Sequence, residues 1–282
     1  MVTIITDSAA DFEPAELEQM QIICVPMKIS FGETEYRENI DLTKTKFYEL
    51  LEQSEEFPKT SQPAPHDFEV IFREKKEAGE ETVVITLSSA LSGTCQSAFM
   101  AKNMTEYESC YIVDSLHATG GQRMLVEQAV RLRDEGKTAG EIAEALASLR
   151  GRVMLYACID TLEYLHKGGR ISGAAYTIGS VANIKPIIQI SPEGKVDILA
   201  KTISIRKGIQ NLCNRLTEKE PDPAYPLYIL YTHNRKNAEL LAEQVKKCGY
   251  DASEERMVNI GATIGTHVGT GACGVVYVTK GA

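Results

Sequence analysis

The chain has 282 residues, 43% hydrophobic and 24% charged, with a formal net charge of -9. That length and balance suit one large or two ordinary globular domains and exclude a disordered chain. The acidic charge argues against a general nucleic-acid or anionic-membrane binder, which needs a basic face, yet leaves room for a local basic site that takes a small anion.

In chain order, the first half alternates short apolar runs with amphipathic stretches. Strands are predicted at Val2–Thr6, Ile22–Met27, Thr82–Leu87 and Cys110–Val113, each β-branched or otherwise apolar. Helices are predicted at Glu13–Met20, Thr43–Gln53, Asp67–Ala78, Thr94–Asn103, Gly121–Glu135 and Ala139–Leu149. The last begins with Thr138 and Glu141 at capping-box spacing, after Gly136 closes the helix before it. Near-continuous apolar strands alternating with helices predict an α/β fold whose N-terminal, mostly parallel sheet is covered on both faces. The pattern becomes less regular after Arg150-Gly151-Arg152, so a second α/β domain is expected over 153–282, following a first over 1–152. Its strands are predicted at Val153–Ile159, Pro186–Ile190, Val196–Ala200, Leu227–Tyr231 and Val275–Thr279, and its helices at Ser204–Thr217 and Asn234–Lys247.

The seven cysteines (Cys24, Cys95, Cys110, Cys158, Cys213, Cys248 and Cys273) are scattered and never form C-x-x-C. Buried free thiols in a reducing compartment explain that pattern better than a disulfide frame or a zinc site. The N-terminal stretch lacks a basic n-region, and the ~18 uninterrupted apolar residues of a membrane span are not found. The expectation is a soluble, cytoplasmic protein.

Three predicted strands run into hydroxyl- and glycine-rich turns: Asp7-Ser8, Ser88 to Thr94, and Asp114-Ser115 with Thr119-Gly120-Gly121. Loops at the carboxyl ends of parallel strands converge on a ligand crevice. Ser88-Ser89-Ala90-Leu91-Ser92-Gly93-Thr94 is the richest, with four hydroxyls before a helix; an N-cap is the ordinary explanation for any one of them. Thr60-Ser61-Gln62-Pro63, between Pro58 and Pro65, reads by itself as an ordinary turn. Arg170 follows Gly168-Gly169 and suits a carboxylate or phosphate, or else lies on the surface after a helix that ends at Gly168. His267 stands among Gly261, Gly265, Gly269, Gly271 and Gly274; it would donate to a carboxylate or serve as a structural histidine. The G-x-G-x-x-G match at Gly269–Gly274 precedes a strand instead of a helix, so it is no dinucleotide fingerprint. Arg131 occupies the first-glycine position of the P-loop-like Gly136-Lys137-Thr138, and neither a metalloprotease motif nor a nucleophile elbow is found.

Taken together and in order, Thr60-Ser61-Gln62-Pro63, Ser88 to Thr94, Leu165-His166-Lys167-Gly168-Gly169-Arg170-Ile171, Lys185-Pro186-Ile187 and Gly265-Thr266-His267-Val268-Gly269 resemble the DegV family. Ile5-Thr6-Asp7-Ser8 fits as well, and the resemblance spans essentially the whole chain. Two departures are Cys95, where an aromatic is expected and pocket shape is affected, and Thr270, where proline is usual. The resemblance implies a two-domain α/β protein holding a long-chain fatty acid, such as palmitate, stearate or oleate, between its domains. It also implies a separate dihydroxyacetone-kinase-like fatty-acid kinase that phosphorylates the presented carboxylate. This chain would then be a non-catalytic carrier with no cofactor and no metal. Carried across, the carboxylate would meet Thr60 or Ser61, Ser92 and His267, with Arg170 and Arg206 serving the phosphate or the partner. The alternatives are an independent acyl hydrolase or transferase, with Ser92 as nucleophile and His267 as base, and a regulatory sensor of lipid supply.

Overall fold

The computed structural model describes residues 2–179 and 184–281. The first seven strands are β1 (Val2–Asp7), β2 (Ile22–Val25), β3 (Lys28–Phe31), β4 (Thr34–Arg37), β5 (Lys59–Ser61), β6 (Glu81–Thr86) and β7 (Cys110–Asp114). Among the described residues the other six are β8 (Val153–Cys158), β9 (Lys185–Ile190), β10 (Val196–Thr202), β11 (Tyr228–Tyr231), β12 (Met257–Asn259) and β13 (Cys273–Val278).

The fold is α/β. Strands β2-β1-β6-β7 form a parallel sheet. Its alternating side chains enter two different cores, as the two-residue period of a strand requires. Ile4, Val83 and Ile85 pack with Leu125, Ile142 and Leu146 from the helices Thr119–Asp134 and Ala139–Leu149. Ile5 and Val84 pack with Phe68, Phe72, Ala98 and Ala101 from the helices Pro65–Glu77 and Thr94–Thr105. The helix expected at Ala139–Leu149 keeps those bounds: Thr138 and Glu141 form the reciprocal cap, with Glu141 Oε2 accepting from the Thr138 amide at 2.9 Å.

Strands β10-β9-β8-β13-β11-β12 form a second, mixed sheet in which only β11 and β12 pair in parallel. Helices Ile205–Glu218 and Arg235–Lys247 cover one face. The other face contributes Leu155, Leu230 and Val276 to the same core that holds Leu125 and Ile142. One apolar cluster therefore crosses the expected boundary between Arg152 and Val153.

Three expectations need correction. The strand expected over Ile22–Met27 ends at Val25, ahead of Pro26, and the chain then enters a small antiparallel sheet in the order β4-β3-β5. Thr60 and Ser61, expected in a turn, belong to β5, where Thr60 pairs with Ile29. Among the described residues the second half also contains helices Gly173–Gly179 and Ala262–Val268, which were not expected, while Glu163–Lys167, capped at Gly168, is the helix that the sequence offered as one reading of the Arg170 motif. These elements are three to seven residues long, too short to show a period, and neighbours distant in sequence stabilise them.

Because one core serves both sheets, Leu125→Ala, at a fully buried position, should destabilise by roughly 2–5 kcal/mol and lower amide protection in both sheets together. Hydrogen exchange on the variant tests this. Lost protection confined to β1, β2, β6 and β7 would mean that the halves unfold independently.

Candidate functional site

Residues of both halves line one largely apolar cavity. Its wall is mostly aliphatic, including Leu87, Leu155, Ile159, Ile188, Leu230 and Val268. Six side chains with hydroxyl, imidazole or guanidinium groups interrupt it: Thr60, Ser92, Thr119, Arg170, Thr263 and His267.

Strand geometry separates the two residues first considered together. Successive side chains of β5 point to opposite faces, so Thr60 lines the cavity while Ser61 is exposed. Thr60 Oγ1 lies 3.0 Å from His267 Nε2. In the hydroxyl-rich turn only Ser92 reaches the cavity. Ser88 donates to the Gly194 carbonyl at 2.8 Å, Ser89 is exposed, and Thr94 is buried against Met27. Ser92 Oγ is 2.9 Å from Thr94 Oγ1 and accepts from the Thr94 amide at 3.3 Å. Gly93 lets the turn close beneath Gln62, since a Cβ there would come within 2.1 Å of the Gln62 amide oxygen. Cys95 is buried in the helix behind and does not line the cavity.

His267 sits in the last turn of helix Ala262–Val268, and its ring stands directly on Gly168. Any side chain at 168 would put Cβ 2.1 Å from His267 Nδ1. Burial, reinforced by the nearby positive charge of Arg170, pushes the His267 pKa down to about 3. The imidazole is therefore neutral at ordinary pH. With Nε2 protonated it donates to Thr60, whose own hydroxyl proton is then free for an acceptor in the cavity.

The chain turns through Gly169, at φ +73°, to place Arg170. Arg170 Nε donates to the Leu91 carbonyl at 3.0 Å and Nη1 to the Gly168 carbonyl at 2.6 Å. The guanidinium thus ties the residue preceding Ser92 to the glycine beneath His267. Among the described residues no carboxylate pairs with it, and burial alone lowers its pKa from the usual value. Arg206 lies elsewhere, in the first turn of helix Ile205–Glu218, lining a separate groove with Gln210, Lys247 and Cys248.

Two acidic side chains that the sequence reading did not single out, Asp11 and Glu38, hold the His267 helix. Asp11 Oδ1 accepts from the Gly261 amide at 2.9 Å. Glu38 accepts from the Thr263 amide at 3.1 Å, the Thr263 hydroxyl at 2.5 Å and the Ser8 hydroxyl at 2.7 Å. Asp7 accepts from the Ala9 and Leu87 amides at 3.1 and 2.7 Å. Desolvation raises all three carboxyls, Asp7 to about 6 and Asp11 to about 7. Acidic residues within apolar sequence, at Asp7 and Asp11, were the available clue.

The site lacks the linkage of an acyl-transfer triad. Ser92 bonds to Thr94 instead of His267, and His267 Nδ1 has no partner to orient it. Among the described residues no group of three or more His, Cys, Asp or Glu is placed to hold a metal ion, and no helix is long and apolar enough to cross a membrane.

The Asp11 pKa is raised on folding, so its contribution to stability is complete below the unfolded value near 3.8 and is lost as pH rises through about 7. Asp11→Asn keeps the acceptor for Gly261 and suits the left-handed backbone at φ 61°. Between pH 4 and 7.5 its stability should therefore rise relative to wild type by roughly 2–4 kcal/mol. Urea denaturation across that range measures the difference; parallel pH profiles would refute the assignment.

Comparison with known proteins agrees with this architecture over the full length. A family profile described as "Uncharacterised protein, DegV family" matches residues 1–280. The DegV domain-containing protein YteA of Lactococcus lactis is 34% identical over 285 residues, covering 98% of this chain and 97% of that protein. The crystal structure of DegV from Bacillus subtilis, described as a fatty acid binding protein, superposes with a TM-score of 0.85 at 29% identity, covering 99% of each chain. A stearic acid-binding protein from Eubacterium ventriosum superposes with a TM-score of 0.89 at 25% identity, again covering 99% of each chain. With a match along 1–280 and a fold shared from end to end, this chain belongs to the DegV family.

Proposed function

We propose that this chain binds a long-chain fatty acid, such as palmitate, stearate or oleate, with its tail in the cavity and its carboxylate among Thr60, Ser92 and His267. The observation that carries this reading is Arg170: a half-buried guanidinium at an apolar cavity with no acidic counter-ion among the described residues. An unpaired charge out of water is unfavourable, and a ligand carboxylate beside it supplies the missing partner. Thr60 and Ser92 offer neutral donors, and neutral His267, by donating its one N–H to Thr60, leaves the Thr60 hydroxyl proton for the carboxylate without adding a fixed charge. Aliphatic walls match the tail, since burying a dozen methylenes provides roughly 10 kcal/mol of gross driving force before ordering costs. The fatty-acid ligands named for the related solved structures support the same reading.

We further propose that the chain is a carrier, presenting the carboxylate to a separate dihydroxyacetone-kinase-like fatty-acid kinase. A carboxylate oxygen would attack the terminal phosphoryl group of ATP held by that partner. The new O–P bond would form as the bond to the ADP leaving group breaks. A polar groove supports access, because Leu91, Arg170 and Val196 line both it and the cavity, and Lys195 and Ser172 line the groove. In this scheme Arg170 offsets the developing phosphate charge, and Arg206, on its separate helix, serves a partner contact.

Denaturing extraction and mass spectrometry of the purified protein should release about one fatty acid per chain. Thr60→Val and Ser92→Ala should each lower fatty-acid affinity by roughly 10- to 100-fold, the usual effect of losing a hydrogen bond to a charged group. Gly168→Ala should act in the same direction by displacing the imidazole. A protein that neither contains nor takes up labelled fatty acid would refute the reading. Trapping an acyl phosphate as the hydroxamate, with kinase and ATP present, tests the carrier role; its absence with loaded protein would remove that role.

A further inference from the structure

Helices Ile205–Glu218 and Arg235–Lys247 lie side by side on one face of the second sheet, where Leu212, Leu241 and Val245 share a core. The first helix carries Cys213, 8% exposed, and the second ends on Cys248, which is exposed. The two thiols are hydrogen-bonded to each other across the seam between the helices, and both line the groove that holds Arg206. Gly249, at φ +90°, turns the chain away immediately after Cys248, so this thiol stands at the open end of its helix.

Two thiols in contact need only a small approach to form a disulfide, whose sulfurs lie ~2.05 Å apart and whose Cβ atoms lie ~3.8 Å apart. Cys158 and Cys273 also face each other, across strands β8 and β13, but both are fully buried, so neither meets a reagent from solvent. The Cys213–Cys248 pair has one reachable member. Its groove also selects the reagent. Arg206, Gln210, Gln244 and Lys247 line it with the thiols, and among the described residues no Asp or Glu does. In a chain of net charge -9, a groove with two cations and no acid favours an anionic molecule, and the amides offer donors to its carboxylates.

We infer that Cys213 and Cys248 form a thiol–disulfide exchange site whose co-substrate is an anionic low-molecular-weight disulfide. The exposed Cys248, as thiolate, attacks one sulfur of that disulfide; the external S–S bond breaks, and one small thiol leaves with a proton. Cys213 then gives up its proton and attacks the Cys248 sulfur, expelling the second small thiol. Two protein thiols lose two electrons and two protons, and the small disulfide is reduced to two thiols. Burial raises the Cys213 thiol, and contact with Cys248 raises it further. The second contribution disappears once Cys248 is capped as the mixed disulfide, so Cys248 attacks and Cys213 resolves. The groove shares no lining residue with the apolar cavity, and this site stands independently of the fatty-acid reading.

Incubation of the reduced, native protein with glutathione disulfide, then alkylation in denaturant and peptide mass spectrometry, tests the site. A Cys213–Cys248 disulfide is expected, with the other five thiols alkylated and the extractable fatty acid unchanged. Cys213→Ser should stop at a glutathione adduct on Cys248, and Cys248→Ser should block both steps. The ratio of the rate with glutathione disulfide to that with cystamine, a cationic disulfide, should fall roughly 2- to 5-fold in Lys247→Glu. Both thiols alkylated after incubation, or a wild-type Cys248 adduct that never resolves, would overturn the site. A ratio unmoved by Lys247→Glu would overturn its preference for anions. Should a variant not fold, the disulfide map of the wild-type protein still decides.

Discussion

The site depends on two carboxylates gripping the start of one short helix. Ala262–Val268 has only seven residues, too few to be stable in water by itself. Asp11 and Glu38, from the first half of the chain, take the amides of Gly261 and Thr263. Tyr48, also from that half, donates to the Ile260 carbonyl at 2.9 Å just before the helix. These bonds set the pitch and depth of the helix and therefore where His267 points. The acids carry a desolvation penalty, visible in their raised pKa values, which their hydrogen bonds offset in part. Negative groups at a helix N-terminus also meet the favourable end of its dipole.

Two arginines, the buried Arg123 and the half-buried Arg170, show how the molecule distinguishes structural charge from charge available to a ligand. Arg123 is clasped by Glu16 and Glu127 and lies over the Phe12 ring; those acids raise its pKa despite burial. Among the described residues Arg170 has two carbonyl acceptors and no acidic partner, and burial lowers its pKa. In a chain of net charge -9, acidic partners are plentiful, so their absence beside Arg170 among the described residues is a property of that place in the fold. The imidazole next to it is kept neutral by the same burial and by the same cation. An anion entering here meets one charge and several neutral donors, a combination that binds a carboxylate without a second fixed cation in the apolar interior.

Much of the first half was legible in the chain. Its strands recur within one or two residues of their expected bounds, because near-continuous β-branched runs mark parallel strands buried on both faces. The small sheet β4-β3-β5 was not legible. Its strands are three or four residues long, and β5 gains its partner β3 from some thirty residues upstream. The site divides in the same way. Ser92, Arg170 and His267 lie in recognisable motifs, and the structure brings them to one cavity with Thr60. Ser61 could be separated from Thr60 only once both were known to sit on a strand, and Arg206 only once its helix was placed. The grip of Asp11 and Glu38 left little local trace, since their partners lie more than two hundred residues away.

By itself, the sequence determined the elements whose periodicity is local, the α/β class they imply, and the residue types able to meet an anion. Only the tertiary structure decided which of those residues share a cavity and which charge goes unpaired. Periodicity is a property of neighbours along the chain, whereas desolvation and hydrogen-bond satisfaction depend on neighbours in space.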